Sequence, residues 1–340
     1  MSESLRYYIH DKPLQLESGD SLPRFQLAYS TYGKLNDDGS NAVWIVHALT
    51  ADSKAADWWP GVIGPGLAID TDRYFVICAN TLGSHYGSTS PLTTDPLTNK
   101  KYYHNFPVFT NRDIINSFTK LIKHLGIKQL HSVIGASLGG QQALEWSVMY
   151  PSHMQNLLLI ATNAQHSPYG IAFNESQRMA IEADSSWHSD SDNAGIAGLR
   201  AARAMALISY RTRSGYNHTQ KRSTKDLLTT YRAASYQRYQ GEKLAKRFNA
   251  YSYYRLSQAM DSHDVSRGRG NITQALARVT ATTTVVGIDS DILFPIEEQE
   301  LLARHISDAK LHVIESQYGH DGFLIEPDQM SAILRQFLCN

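Results

Sequence analysis

Apolar positions along this chain follow two rhythms. Phe25, Leu27 and Tyr29 alternate with Arg24, Gln26 and Ala28 after the turn signal Ser18-Gly19-Asp20, so residues 13–33 read as strands. Residues 43–46, 74–78, 132–134 and 157–160 are instead unbroken apolar or β-branched runs. Such runs suit strands of a parallel sheet covered on both faces. Between them lies a stripe of helical period: Ile114, Ile115, Phe118, Leu121, Ile122 and Leu125. Thr110 and Asp113 are spaced as a capping box ahead of it, and Gly126 stops it. Strands alternating with helices predict an α/β fold: a mostly parallel sheet with helices on both faces.

From about residue 166 to 272 the rhythm changes. No buried strand is legible there, and the helical patches 174–183, 194–210, 224–248 and 251–262 are rich in Gln, Arg, Tyr and Ala. Strand Thr282–Ile288, a helix from Pro295, strand 311–314 and a helix after Pro327 then resume the alternation. The expected organisation is a core of residues 1–165 and 273–340, interrupted by a helical lid over 166–272.

The chemistry centres on Gly135-Ala-Ser137-Leu-Gly139, a G-x-S-x-G pattern between the 132–134 strand and a helix carrying Leu144 and Val148. In that context the serine sits on a sharp turn with its oxygen lifted above the sheet, and the next amides point the same way. The plain alternative is a serine that only caps the helix. A serine hydroxyl needs a histidine to take its proton and a carboxylate to orient that histidine. In chain order the acid and base follow the serine. Asp289 and Asp291 follow the Thr282–Ile288 strand, and His320 follows the 311–314 strand between Gly319 and Gly322. Asp291 is the favoured acid, with Asp289 as competitor. The oxyanion donors are expected to be the Leu138 amide and the Leu49 amide, the latter in the loop after residues 43–46. His47 is read as structural.

Composition narrows the field. Lys+Arg and Asp+Glu both number 32, which argues against a nucleic-acid or membrane-surface binder. No apolar run approaches the ~18 residues of a bilayer span, and the N-terminus lacks the plan of a signal peptide. Two cysteines provide neither a disulfide framework nor a zinc site. A cytoplasmic location is expected.

Several longer motifs are more specific. They are His47-Ala-Leu-Thr50, Asn80-x-Leu-Gly83, Gly87-Ser-Thr89, Phe106-Pro107, Arg112-Asp113 and Gly139-Gly-x-x-Ala-Leu-Glu-Trp146. Others are Gly198-Leu-x-x-Ala-Arg203, Tyr210-Arg211, Ser262-His-Asp-Val-x-Arg-Gly-Arg-Gly270, Ser290-Asp291-x-Leu-Phe-Pro295 and Tyr318-Gly-His-Asp-Gly-Phe323. With these the chain resembles the homoserine O-acyltransferases, methionine-pathway members of the α/β-hydrolase superfamily. The resemblance implies Ser137 as nucleophile, Asp291 as acid and His320 as base. It also implies that Arg203 and Asp321 bind the amino-acid acceptor. A guanidinium fork suits the α-carboxylate, and a carboxylate suits the α-ammonium. A homodimer through the helical insert is implied, with acyl-CoA as co-substrate and no metal or permanent cofactor. Acetyl-CoA and L-homoserine are the favoured pair. Serine as acceptor, succinyl-CoA as donor and an ester hydrolase are the alternatives. The chain departs from the family at Ala136 and Leu138 of the elbow, at Ser90-Pro91, at His85 where cysteine is common, and in a short 187–198 segment.

Overall fold

The unbroken apolar runs become the middle of an eight-stranded sheet. The computed structural model describes residues 5–223 and 228–339. The sheet strands are β1 Arg6–His10, β2 Phe25–Tyr32, β3 Ala42–Val46, β4 Phe75–Ala79, β5 Leu130–Ala136, β6 Met154–Ile160, β7 Thr282–Ile288 and β8 Lys310–Ile314. They lie in the order β1-β2-β4-β3-β5-β6-β7-β8. Strand β2 is antiparallel to both neighbours, and the other pairings are parallel. The main helices are α1 Asn111–His124, α2 Leu138–Met149, α3 Pro168–Glu182, α4 Ile196–Tyr210 and α5 Arg213–Thr219. They continue with α6 Arg232–Ala245, α7 Ala250–Asp261, α8 Ile272–Leu276, α9 Ile296–His305 and α10 Pro327–Leu338.

The period-2 geometry of the strands divides their side chains between two cores. Trp44, Val46, Leu157 and Leu159 join Phe118 and Leu121 of α1 and Trp146 of α2 on one face. Val43, Ile45, Leu158 and Ile160 lie under Met330, Leu334 and Phe337 of α10 on the other. Covering both faces is what makes these strands read as unbroken apolar runs. Trp44, Phe118 and Trp146 interlock with ring centroids 5.1–5.8 Å apart. Burying each such ring contributes on the order of 2–3 kcal/mol. The Thr110 N–H donates to Asp113 Oδ2 at 2.9 Å, as the capping-box spacing requires.

Between β6 and β7 the described residues hold helices α3–α8 and no strand of the sheet. The segment leaves and returns at one point. Gln165 and Asp264 form a bridge there, the His166 N–H donates to the His263 carbonyl at 2.9 Å, and the Val265 N–H donates to the Ala164 carbonyl at 3.0 Å. Ile181, Leu199, Ala202 and Leu244 of the insert share the core of α1 and α2, so the helices are seated rather than loosely tethered.

The Ser262–Gly270 run is explained by this seat. His263 meets the Asn163 carbonyl through Nε2 at 3.0 Å. Arg269 and Arg112 both reach the buried Glu145 of α2, at 2.6 and 2.9 Å. Arg267 and Arg112 both reach Glu17, at 2.7 and 3.0 Å. A buried carboxylate with two guanidinium partners is stable only while both stay in place. The run is therefore a latch between the end of the insert, α1 and α2.

Local readings needed correction at several edges. Residues 13–33 hold strands as expected, a short Leu14–Gln15/Ser21–Leu22 hairpin and then β2, but the outer strand β1 that precedes them was not anticipated. Its half-exposed side chains leave little hydrophobic rhythm to read. Helix α3 starts at Pro168, where Ser167 caps it through the Gly170 N–H. The helical patch from residue 224 is helical over Arg232–Ala245, and residues 224–227 lie outside the described residues.

Helix α2 starts hard against β3. A Cβ on Gly139 would lie 2.2 Å from the Val46 carbonyl oxygen. Gly139→Ala is expected to cost about 1–3 kcal/mol through forced overpacking. A denaturant titration measures this, and an unchanged midpoint would show that α2 can back away freely.

Candidate active site

Ser137 sits between β5 and α2 at φ 56°, ψ −125°, a conformation that L-residues adopt only under constraint. The strain is of order 1–3 kcal/mol. It is held by the end of β6. The Ser137 N–H donates to the Ile160 carbonyl at 3.0 Å, and Thr162 Oγ1 donates to the Ser137 carbonyl at 3.0 Å. The side chain does not cap the helix. Its Oγ lies 2.9 Å from His320 Nε2.

His320 stands on the Gly319–Asp321 turn after β8. Its Nδ1 is 2.7 Å from Asp291 Oδ2. Asp291 is fixed in turn by the Leu293 and Phe294 N–H groups, which donate to Oδ1 at 2.8 and 3.0 Å. Asp289 has a different task, since its Oδ1 accepts the Ser316 N–H at 3.0 Å and joins the loops after β7 and β8. Asp291 is thus the carboxylate on His320. The Phe294 ring stacks on the imidazole at 5.1 Å, and Tyr210 lies at 5.6 Å. Burial disfavours the imidazolium, yet the Asp291 carboxylate, by charge and hydrogen bond, and the Asp321 charge together outweigh it. The net effect raises the His320 pKa above its ordinary value.

His47 is buried at the end of β3. Its Nε2 accepts the Thr81 N–H at 2.9 Å, which leaves Nδ1–H to donate to the Ala48 carbonyl at 2.9 Å. Burial lowers its pKa and so favours this neutral form. The Ala48 carbonyl also accepts the Ala51 N–H at 3.0 Å. Because a trans peptide sets N–H opposite C=O, anchoring that oxygen turns the Leu49 N–H the other way. Leu49 lines the same cavity as Ser137. Leu138 is the first residue of α2, so its N–H has no acceptor within the helix.

The cavity has a volume of about 380 Å³, and Ser137, His320, Leu49, Arg203 and Asp321 all line it. Arg203 comes from α4, with its guanidinium 5.4 Å from the Tyr210 ring centroid. Asp321 carries an ion pair of its own, with Arg211 Nε 3.0 Å from Oδ2. Among the described residues no cluster of at least three His, Cys, Asp or Glu could hold a metal ion.

A serine, a histidine and a carboxylate in hydrogen-bonded series are suited to acyl transfer through a covalent ester. A family model for the alpha/beta hydrolase fold matches residues 41–327. The homoserine O-acetyltransferase of Cyclobacterium marinum is 47% identical over 324 residues, covering 95% of this chain and 92% of that protein. That of Chloroherpeton thalassium is 42% identical over 339 residues, covering 99% of this chain and 89% of its own. This chain belongs to the homoserine O-acetyltransferase family. The crystal structure of the Bacillus anthracis homoserine O-acetyltransferase superposes with a TM-score of 0.93 at 27% identity, covering 100% of this chain and 98% of that one. Esterase E22 superposes with a TM-score of 0.91 at 26% identity, covering 99% and 100%.

This homoserine O-acetyltransferase family member also holds residues at the site that sequence reasoning gave no role. Tyr210 and Arg247 line the cavity, and Arg247 is braced by Tyr86 Oη at 2.7 Å. Tyr210-Arg211 is visible as a motif, but nothing local reveals that Arg211 meets Asp321. Burial raises the Glu298 pKa to about 7, with Asp291 adding to the rise. Glu298 lies on α9 as one of two adjacent glutamates, and only packing distinguishes it from Glu297.

The raised His320 pKa has a definite sign in the pH profile. An imidazole can accept the Ser137 proton only when neutral, so labelling at Ser137 is expected to rise with pH through a limb above the ordinary histidine value of ~6.5. Because Asp321 raises the pKa, Asp321→Asn should move the limb to lower pH. The rate of fluorophosphonate labelling at Ser137 against pH measures both. A limb that stays fixed in Asp321→Asn would remove Asp321 from the electrostatics of the base.

Proposed function

We propose that this protein transfers an acyl group, acetyl by preference, from acyl-CoA to the side-chain hydroxyl of L-homoserine through an ester on Ser137, as a step of methionine biosynthesis. The observation that carries this reading is one cavity holding both the Ser137–His320–Asp291 series and the opposite charges Arg203 and Asp321. Family membership points the same way.

In the first half-reaction His320 Nε2 takes the Ser137 proton as Oγ attacks the thioester carbonyl. The Leu49 and Leu138 amides receive the developing oxyanion. Collapse breaks the C–S bond, and His320 returns the proton to the departing CoA sulfur. In the second half, Arg203 takes the α-carboxylate of homoserine and Asp321 its α-ammonium, which brings the hydroxyl to the acyl-serine. His320 removes the hydroxyl proton, the new ester forms, and Ser137 Oγ recovers the proton. Transfer instead of hydrolysis requires exclusion of water, and the 166–272 helices serve as the lid that provides it.

An ester hydrolase is the second reading, favoured by the likeness to esterase E22. The two readings part on acceptor dependence: a hydrolase releases CoA at the same rate with or without homoserine. Mass spectrometry of products from acetyl- and succinyl-CoA, each crossed with homoserine and serine, is expected to show O-acetylhomoserine as the main product. Ser137→Ala should lower its formation by about 10⁴-fold or more and abolish the acyl-protein adduct. Full transfer by that variant would rule out the covalent route.

We also read the protein as a cytoplasmic homodimer joined through the insert. Its two cysteines are free, and Met205 and Ile208 of α4 and Tyr239 of α6 are exposed apolar groups on the insert. Sedimentation velocity is expected to give the dimer mass, with Ile208→Asp shifting it toward monomer. A monomeric wild type would discard this assembly.

A further inference from the structure

Asp321 faces two arginines in different ways. Arg203 lines the catalytic cavity beside it. Arg211 lines another cavity, of about 190 Å³, together with Tyr216, Tyr236 and Tyr318. Arg211 is not among the residues lining the cavity that holds Ser137, so it reaches the Asp321 carboxylate from outside that cavity. Nε is 3.0 Å from Oδ2, but its N–H is not aimed along a hydrogen bond. The contact is an attraction of charges.

The surroundings make this contact hard to displace. Arg211 directly follows α4, and that end of the helix is stitched to the His320 turn. Thr212 Oγ1 donates to the Gln317 carbonyl. The Arg211 guanidinium lies 5.8 Å from the Tyr318 ring centroid. Gly319 turns at φ 63°, and a Cβ there would sit 2.9 Å from the Tyr210 carbonyl oxygen. The backbone of one segment thus rests on the backbone of the other. Both side chains of the pair are mostly buried, at 22% and 18% exposed, so the charges interact more strongly than a surface pair.

We propose that Arg211 is a positioning residue of the acceptor subsite: it holds one Asp321 oxygen from outside the cavity and leaves the other for the α-ammonium of the acceptor. This rests on the acyl-transfer reading above. The arrangement divides the work between the two arginines. Arg203 is left for the α-carboxylate, while Arg211 never meets the acceptor. A second consequence concerns the base. The titratable and charged groups around His320 are Asp291, Asp321 and Tyr210, with Arg203, Arg247, Asp52 and Asp57 elsewhere on the cavity wall. Asp321 raises the His320 pKa. The opposite charge of Arg211, 3.0 Å from Asp321, works against that effect. Without Arg211, the labelling limb of His320 should therefore move to higher pH.

The test uses the full-length protein with Arg211→Gln, Arg211→Lys, Asp321→Asn and the Arg211→Gln/Asp321→Asn double variant. The Arg211→Gln change is expected to raise KM for homoserine roughly tenfold or more, lower kcat by less, and move the fluorophosphonate-labelling limb up in pH. Arg211→Lys, which keeps the charge, should recover much of both effects. In the Asp321→Asn background, Arg211→Gln should raise the homoserine KM no further, since on the acceptor the two residues act as one unit. Wild-type KM and limb in Arg211→Gln, or additive losses in the double variant, would overturn the proposal. A wild type that makes no O-acetylhomoserine would instead sink the acyl-transfer reading, and the labelling limb would still decide whether Arg211 screens Asp321.

Discussion

The rest of the site depends on the strained turn at Ser137. A serine at φ 56° is tenable only where its backbone is fully engaged, and the end of β6 supplies both partners. That engagement fixes the start of α2 against β3 at Gly139. Three parallel strands then deliver their C-terminal ends to one small region: β3 with His47 and Leu49, β5 with Ser137, and β6 with the clamp. The loops after β7 and β8 bring Asp291 and His320 to the same edge. In an open parallel sheet every strand ends at that edge, so groups distant in sequence converge without any special device.

Around the turn, buried polar groups are spent on orientation. Asp291 is held by two backbone amides before it meets His320, which removes the imidazole's freedom to choose another tautomer. His47 is neutral, buried and doubly engaged, and its effect falls on a peptide next to the serine instead of on a substrate. Asp289, two residues from Asp291, is equally occupied in joining two loops. Neighbouring carboxylates in one loop thus do unrelated work because their hydrogen-bond partners differ.

Two of the places where the insert is fastened have different consequences. At its base the Glu145 and Glu17 carboxylates gather Arg112, Arg267 and Arg269, which anchors the segment to α1 and α2. At the far end of α4, Thr212 and Arg211 grip the turn that carries His320 and Asp321. The insert is therefore coupled to the turn that carries His320 as well as placed beside it. A shift of α4 would be felt directly in the geometry of His320.

Periodicity alone determined the central strands, helix α1 and the helical character of the insert, because double-sided burial and a 3.6-residue stripe leave unambiguous marks. The G-x-S-x-G turn and the chain order of Asp291 and His320 were legible for a similar reason: glycines and strand ends are local signals. The outer strand β1 was not, since an edge strand with one face in solvent has a weak pattern. The sequence favoured Asp291 over Asp289 but held no hydrogen-bond partner for either, and it did not show that Arg211 meets Asp321. Those are decided by which backbone amide or guanidinium arrives from elsewhere in the chain, and only the closed tertiary structure brings them together.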